Sequence, residues 1–158
     1  MGSVERFERM LADEGLTGKV VRLQDDTRTA ELAAQALGTA VGAIVKSLVV
    51  MADGRPCLAM VSGDRRAKLD DVARLFESRE VKMARGAAVK EITGFAIGGI
   101  PPLLEDQSGE RLPAILDRQL FRFDEVWAAA GSPFAVFPIA PTELERLTGA
   151  RVVEFTEG

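Results

Sequence analysis

A single lysine interrupts an apolar stretch of the chain and is the first candidate for chemistry. Residues 41–51 read V-G-A-I-V-K-S-L-V-V-M, in which Lys46 is the one charged residue and the second half is typical of a strand. Such a lysine either extends its ammonium to solvent or is held at the mouth of a pocket, where it can bind a phosphate or carboxylate. A desolvated lysine could also act as a base or as a Schiff-base amine. The residues alone leave these alternatives open.

Two polar residues are further candidates for the same site. Ser47 follows the lysine directly, and the alternation of a strand predicts that its side chain points to the opposite face. The two side chains are therefore not expected to converge, although the backbone N–H of Ser47 can still face a ligand. Asp117 ends a predicted strand and is either a turn former or a carboxylate of the pocket.

The stretch G-G-I-P-P at residues 98–102 is the second candidate. Its two glycines permit a positive φ or a close approach of the backbone to a ligand, and its prolines stiffen the exit. Free N–H groups in such a turn can bind an anion or a developing oxyanion. An ordinary turn is the alternative. Neither a phosphate-binding loop nor a dinucleotide fingerprint occurs in the chain.

The composition excludes several catalytic classes. The chain has no histidine, no tyrosine and one cysteine, Cys57. Ser-His-Asp and Cys-His catalysis, histidine-liganded zinc and an internal disulfide are therefore all ruled out. The formal net charge of −4 argues against a broad surface for binding polyanions. Catalysis must depend on Lys, Asp, Glu, Ser, Thr, backbone groups or the substrate itself.

Length and pattern predict one α+β domain that spans residues 1–158. A chain of 158 residues, 47% of them hydrophobic, is the size of a single globular domain. Apolar runs are too short for a membrane span, and the lone cysteine suits a reducing cytoplasm. Short strands interleaved with helices predict a mixed, mainly antiparallel sheet surrounded by helices.

Periodicity and turn signals place the individual elements. Helices are predicted at 3–14, 30–37, 69–76, 87–92 and 141–147, with Thr29 as the N-cap and Gly38 as the end of the second. Strands are predicted at 19–23, 45–51, 56–61, 81–83, 112–116, 134–139 and 151–155, with a further strand that begins at 95 and runs into the Gly-Gly turn. Residues 126–130 are ambiguous, because their alanines favour a helix while the following Gly-Ser-Pro favours a hairpin.

Four ordered stretches resemble the YbaK/prolyl-tRNA-synthetase-associated editing-domain family. They are T-R-T-A-E-L-A-A-Q-A-L-G at 27–38, I-V-K-S-L-V-V at 44–50, T-G-F-A-I-G-G-I-P-P at 93–102 and L-P-A-I-L-D at 112–117, and V-W-A-A-A-G at 126–131 fits as well. The resemblance spans nearly the whole chain. It implies a curved mixed sheet with packed helices, and hydrolysis of the ester of tRNAs that carry the wrong amino acid.

The resemblance also implies roles for particular residues. Lys46 would bind the terminal phosphate or ribose, and the backbone N–H groups of Gly98 and Gly99 would face the ester carbonyl. The remaining substrate-binding positions would be Thr29, Ser47, Ile100, Pro101, Asp117, Ala130 and Gly131. An aminoacyl ester is already activated, and the vicinal ribose hydroxyl can assist water, so neither a metal nor another cofactor is expected.

The expected partner is the 3′ acceptor end of an aminoacyl-tRNA, of a tRNA(Pro) type or charged with a small amino acid. Further recognition would come from a synthetase partner, in the cytoplasm. One departure from many relatives is Leu103-Leu104, where a glycine usually follows the loop, and it bears on the shape of the amino-acid pocket. The competing functions are a non-catalytic protein that binds a tRNA end or nucleotide, and a lysine Schiff-base enzyme that acts on a small carbonyl compound.

Overall fold

The computed structural model describes residues 2–158 and contains five α-helices and ten strands within them. The helices are α1 Ser3–Asp13, α2 Ala30–Leu37, α3 Leu69–Leu75, α4 Gly86–Thr93 and α5 Pro141–Thr148. The strands are β1 Val21–Arg22, β2 Ile44–Ala52, β3 Arg55–Ser62, β4 Arg66–Ala67, β5 Val81–Met83, β6 Ala114–Asp117, β7 Val126–Ser132, β8 Ala135–Ile139, β9 Arg151–Val153 and β10 Thr156–Glu157. Short 3₁₀ helices at Val41–Ala43 and Arg118–Arg122 complete the list.

Eight strands form one mixed sheet in the order β1-β8-β7-β2-β3-β6-β9, with β5 added to β2. The pairs β1–β8, β7–β8, β2–β3 and β2–β5 are antiparallel, whereas β2–β7, β3–β6 and β6–β9 are parallel. Strands β4 and β10 form a separate antiparallel ribbon. The predicted fold class, a mixed and mainly antiparallel sheet with helices around it, is confirmed.

A break along one edge of β2 is the feature that positions the site. Strand β3 pairs with β2 along its whole length. On the other edge, β7 pairs only with Ile44 and Val45, and β5 pairs only with residues 50–52. The edge of β2 between these two neighbours is therefore open, and we refer to it as the β2 gap.

The two faces of β2 contribute to different parts of the core. Val45 and Val49 lie in a large cluster that contains Phe7 of α1, Val89 of α4 and Leu144 of α5. The alternate residues Val50 and Ala52 lie in a second cluster with residues such as Val72 of α3 and the fully buried Phe155. Helix α2 packs its small side chains, including Ala33, around Ile44. None of the helices within residues 2–158 is both long and apolar enough to cross a membrane.

Local signals predicted most element ends. Thr29 Oγ1 accepts a hydrogen bond from the Leu32 N–H (3.1 Å), and Gly38 ends α2 in the left-handed region. The ambiguous segment after Val126 is a strand, β7.

The strand predicted from residue 95 is wrong. Gly98 has a φ of +99°, and the Gly99 N–H donates to the Ala96 carbonyl (3.2 Å), which closes a turn instead. The apolar pattern of the segment arises from burial of Phe95 and Ile100 against other elements, not from pairing in a sheet.

Candidate active site

A cavity of about 390 Å³ lies at the β2 gap, between α2, α4, β7 and the loop that follows α4. Its walls are mostly apolar, with a small number of polar groups, as is usual for small-molecule sites. The lining residues are Thr27, Arg28, Thr29, Ala30, Glu31, Ala33, Ile44, Val45, Lys46, Ser47, Leu48, Met83, Val89, Ile97, Gly98, Ile100, Trp127, Ala128, Ala129 and Val136.

Lys46 is half-buried in the wall of this cavity. Its Nζ donates a hydrogen bond to the backbone carbonyl of Arg65 (2.5 Å). Burial lowers the pKa of Lys46 below its ordinary value, and the negative charges of Glu31, Asp64 and Asp117 oppose that shift. Within residues 2–158 no carboxylate forms an ion pair with this ammonium, so its charge is available to an anionic ligand.

Ser47 belongs to the opposite face of β2, on the side of Val45 and Val49, yet it lines the same cavity. The side chains of Lys46 and Ser47 thus point to opposite faces of β2, as the alternation predicts, although both residues line one cavity. Both contact one space because the cavity opens through the β2 gap and reaches both faces of the sheet. A continuous sheet would have separated them.

The polar groups of Ser47 lack protein partners. Its Oγ is the one buried side-chain nitrogen or oxygen without a hydrogen-bond partner in the part of the chain that the structure describes. The Val49 carbonyl accepts a hydrogen bond from the Ala84 N–H (3.1 Å), so the backbone groups of Val49 point to the edge of β2 that faces away from β3. Backbone groups of alternate residues in a strand point to the same edge. The N–H and C=O of Ser47 consequently face the gap.

Gly98 and Gly99 have different surroundings. Gly98 lines the cavity with its φ of +99°, and among residues 2–158 nothing accepts a hydrogen bond from its N–H. Gly99 is buried outside the cavity lining, and its N–H is engaged with Ala96. A Cβ on Gly99 would lie 2.6 Å from the Cα of Ser132, so this glycine permits close packing of the loop on the end of β7. The geometry does not support the predicted use of the Gly99 N–H as a donor to substrate.

The other predicted substrate-binding residues divide into two groups. Thr29 and Ile100 line the cavity, whereas Pro101, Asp117, Ala130 and Gly131 do not. The Gly131 N–H donates to the Gly99 carbonyl (3.0 Å), which ties β7 to the loop. This second group therefore lies outside the cavity lining.

Asp117 is fully buried and has a clear structural task. Its carboxylate accepts the backbone N–H groups of Ser62 (3.0 Å) and Gln119 (3.0 Å) and the hydroxyl of Thr156 (3.1 Å). Because its three donors come from different segments of the chain, this carboxylate holds neighbouring elements together. Its charge reaches the cavity only through its electrostatic effect on Lys46.

Sequence comparison then identifies the family. A sequence model described as the aminoacyl-tRNA editing domain matches residues 24–147. The chain belongs to this family. The predicted resemblance to an editing domain is confirmed, and with it the editing of aminoacyl-tRNA as the activity of the family.

Individual relatives of this editing domain agree with that assignment. The multifunctional Ser/Thr-tRNA deacylase ProXp-y of Escherichia coli K12 is 32% identical over 137 residues, which cover 82% of this chain and 80% of the relative. EbsC of Enterococcus faecalis, named as a candidate Cys-tRNA(Pro)/Cys-tRNA(Cys) deacylase, is 25% identical over 84% of this chain and 79% of its own length. A solved structure described as a candidate trans-editing enzyme for prolyl-tRNA synthetase is 43% identical, with a TM-score of 0.90 over 100% of this chain and 99% of the other.

Several residues of the editing-domain cavity were not predicted from the sequence. Trp127, Ile97 and Met83 form part of the wall, as do Arg28 and Glu31 beside the predicted Thr29. Arg28 and Glu31 could have been predicted as site residues, because they flank the N-cap Thr29 and residues around the start of a helix lie close together. Trp127 and Ile97 lie within stretches that carry the family resemblance, whereas Met83 has no such signal.

Leu103 and Leu104, the departure from many relatives, lie outside the cavity lining of this editing domain. Both leucines are almost fully buried in the large core cluster, with 1% and 2% of their surface exposed, and neither lines the cavity.

Proposed function

We propose that this editing domain hydrolyses the ester between a small mischarged amino acid and the 3′ end of a tRNA, as a free-standing enzyme acting in trans. The observation that carries the proposal is the convergence of Lys46, Gly98 and Ser47 on one cavity. This cavity combines a half-buried cation and a backbone N–H without a partner, and a buried hydroxyl without a partner belongs to a residue of its wall. Each of them suits a different part of an aminoacyl-adenosine.

The ammonium of Lys46 suits the constant, anionic part of the substrate. A phosphate or ribose oxygen of the terminal nucleotide would accept a charge-assisted hydrogen bond from Nζ. Its hydrogen bond to Arg65 would be retained, because an ammonium has three donors. Lys46 thereby fixes the ester relative to the rest of the wall.

The N–H of Gly98 suits the carbonyl oxygen of the ester. Water adds to the carbonyl carbon, and the oxyanion that forms would accept a hydrogen bond from this N–H. The bond from the carbonyl carbon to the ribose oxygen then breaks, and the ribose hydroxyl and the free amino acid are released. With no histidine in the chain, the vicinal ribose hydroxyl is the group best placed to assist proton transfer from water.

Ser47 suits the variable part of the substrate, the amino-acid side chain or its amino group. Its Oγ can donate or accept one hydrogen bond on a wall that otherwise holds side chains such as Val45, Val89 and Ile100. An apolar chamber with one hydroxyl favours a small side chain that carries a hydroxyl or thiol. Serine, threonine and cysteine meet this description better than alanine.

The net charge of −4 favours recognition that is centred on the acceptor end of the tRNA. A synthetase would be a further source of tRNA selectivity, and the reaction would take place in the cytoplasm. Thr29 contributes to the same cavity through its place at the start of α2. Pro101, Asp117, Ala130 and Gly131 act by supporting the wall.

A deacylation panel tests the proposal. Purified protein would be incubated with tRNAs charged with Ala, Ser, Thr or Cys, with correctly charged prolyl-tRNA as the control. We expect turnover of at least one of the hydroxyl- or thiol-bearing substrates and preservation of prolyl-tRNA. Binding of the acceptor end without turnover of any of the four would identify a non-catalytic binding protein instead and overturn the proposal.

A further inference from the structure

The hydrogen-bond partner of Lys46 lies in a turn whose position is set by the C-terminal strand. Lys46 Nζ donates to the carbonyl of Arg65, in the turn between β3 and β4. The Arg65 N–H closes this turn by donating to the Ser62 carbonyl (2.9 Å). Since this carbonyl is the acceptor for Lys46, any shift of the turn moves the ammonium as well.

Arg65 is bound twice by Thr156. Its Nε donates to Thr156 Oγ1 (2.8 Å), and its terminal nitrogen donates to the Thr156 carbonyl (2.9 Å). The adjacent ribbon adds backbone pairing, with Ala67 opposite Thr156, and Lys68 N–H donates to the Phe155 carbonyl (2.8 Å). The turn that holds Lys46 is thus fastened to the last residues of the chain.

Thr156 is in turn anchored in the interior. It is 7% exposed, and its hydroxyl donates to the buried carboxylate of Asp117 while it accepts from Arg65. Phe155 beside it is fully buried in the second core cluster. The hydroxyl therefore links a fixed point of the sheet, Asp117, to the side chain of Arg65.

We propose that Thr156 is a positioning residue for Lys46, acting through Arg65. It lies in the C-terminal strand, downstream of every stretch on which the family resemblance rests. Its hydroxyl and carbonyl hold the guanidinium of Arg65, and the Arg65 carbonyl then fixes the direction of the Lys46 ammonium. The consequence for deacylation rests on the proposed function, but the positioning of Lys46 does not.

Three threonine variants separate positioning from general stability. Thr156→Val removes the hydroxyl with little change in shape, and Thr156→Ser retains it. Thr148→Val is the matched control, because the Thr148 hydroxyl also bonds to backbone groups, at the end of α5, without a link to Lys46. Melting temperatures of all three report the cost to stability.

The decisive readout is the Lys46 side-chain NMR signal in protein labelled at its five lysines. Lys46→Ala assigns that signal by its disappearance. We expect Thr156→Val to shift or broaden it, Thr156→Ser to restore it and Thr148→Val to leave it unchanged. The signals of Lys82 in β5, Lys90 in α4 and Lys19 in the loop before β1 should not move in any variant.

The kinetic readout follows the spectroscopic one. We expect kcat/KM for the preferred misacylated tRNA to fall roughly ten- to a hundredfold in Thr156→Val, the size expected for a displaced catalytic group, and to recover in Thr156→Ser. An unchanged Lys46 signal in folded Thr156→Val overturns the positioning proposal. A shifted signal in a protein whose wild type deacylates nothing supports positioning and counts against the proposed function alone.

A second variant tests the positioning proposal if Thr156→Val does not fold. Arg65→Met breaks both bonds to Thr156 while the bond from Thr156 to Asp117 stays in place. We expect the same change in the Lys46 signal. A signal identical to that of the wild type would overturn the proposal.

Discussion

The two sides of the cavity wall at the β2 gap differ in how far their polar groups are already satisfied. On the face of Lys46, a continuous set of hydrogen bonds runs from Nζ through Arg65 and Thr156 to Asp117. On the face of Ser47, the hydroxyl and the backbone edge have no partner in residues 2–158, and the surrounding side chains are apolar. One side is held rigidly before a ligand arrives, and the other keeps its hydrogen-bonding capacity for the ligand.

This difference suits a substrate that has one constant and one variable part. Every aminoacyl-tRNA presents the same terminal nucleotide, so a cation held in one direction loses little freedom when it binds. The amino acid varies, and a hydroxyl without an internal partner discriminates because a ligand that fails to satisfy it leaves a buried polar group unpaired.

The glycine pair gives the largest expected effect. Gly98→Ala places a side chain at a φ of +99°, with its Cβ 3.1 Å from that of Arg28, and would shift the N–H that we propose as the oxyanion donor. We expect turnover to fall by about 10²–10³, the usual cost of losing an oxyanion donor. Gly99→Ala should mainly lower the melting temperature, since its Cβ meets the backbone of Ser132. Steady-state kinetics together with thermal melts separate the two, and normal turnover per folded Gly98→Ala molecule would remove the oxyanion site.

Lys46→Ala comes next. A charge-assisted hydrogen bond contributes about 1.5–3 kcal/mol, which corresponds to a loss of roughly tenfold to over a hundredfold in kcat/KM. Circular dichroism should show an intact fold, because the Lys46 side chain is only partly buried. Lys19→Ala, at an exposed lysine far along the chain from β2, serves as the control. Wild-type activity in Lys46→Ala would exclude this lysine from the mechanism.

Ser47→Ala tests the unsatisfied side of the wall. A neutral hydrogen bond contributes about 0.5–1.5 kcal/mol, so the preference for Ser- or Thr-charged tRNA over Ala-charged tRNA should fall roughly two- to tenfold. Stability should not decrease, because the Oγ has no internal partner to lose. Competition between two charged tRNAs in one reaction measures the ratio directly, and Ser78→Ala is the control. An unaltered ratio would mean that Ser47 does not read the amino acid.

Lys46 also makes the free energy of unfolding depend on pH. Its folded-state pKa is lowered by burial, so between that pKa and the ordinary lysine value near 10.5 the unfolded chain binds more protons than the folded one. The free energy of unfolding of the wild type should therefore rise with pH in this window, relative to Lys46→Met. Urea titrations of both proteins over this range measure the difference. A difference that is constant with pH, or that moves in the opposite direction, would contradict the burial argument.

Removal of metal ions from the protein should not change the rate of deacylation. The chain has no histidine and one cysteine, Cys57, which is buried, so it lacks the usual ligands of a catalytic zinc. Deacylation after chelation with EDTA should equal that of the untreated enzyme, provided that magnesium for tRNA folding is restored in both samples. Loss of activity that zinc recovers would require a different mechanism.

Local patterns in the sequence predicted those elements whose ends depend on neighbouring residues. Thr29 caps α2 and Gly38 ends it because both signals act within one turn of a helix. The Asp-Gly turn between β2 and β3 was found for the same reason. The apolar pattern from residue 95 predicts a strand that does not form, because Phe95 and Ile100 are buried by elements far away in the sequence.

The sequence by itself determined the family, the fold class and the two central candidates, Lys46 and the Gly98 loop, since each is marked by residue type within a short stretch. Only the tertiary structure decided that Lys46 and Ser47 share a cavity, because that depends on where β7 leaves β2 and where β5 joins it. It also decided that Gly98, not Gly99, offers a free N–H, and that Thr156 stands behind Lys46. Such contacts join residues far apart in the chain, and no local preference of the backbone encodes them.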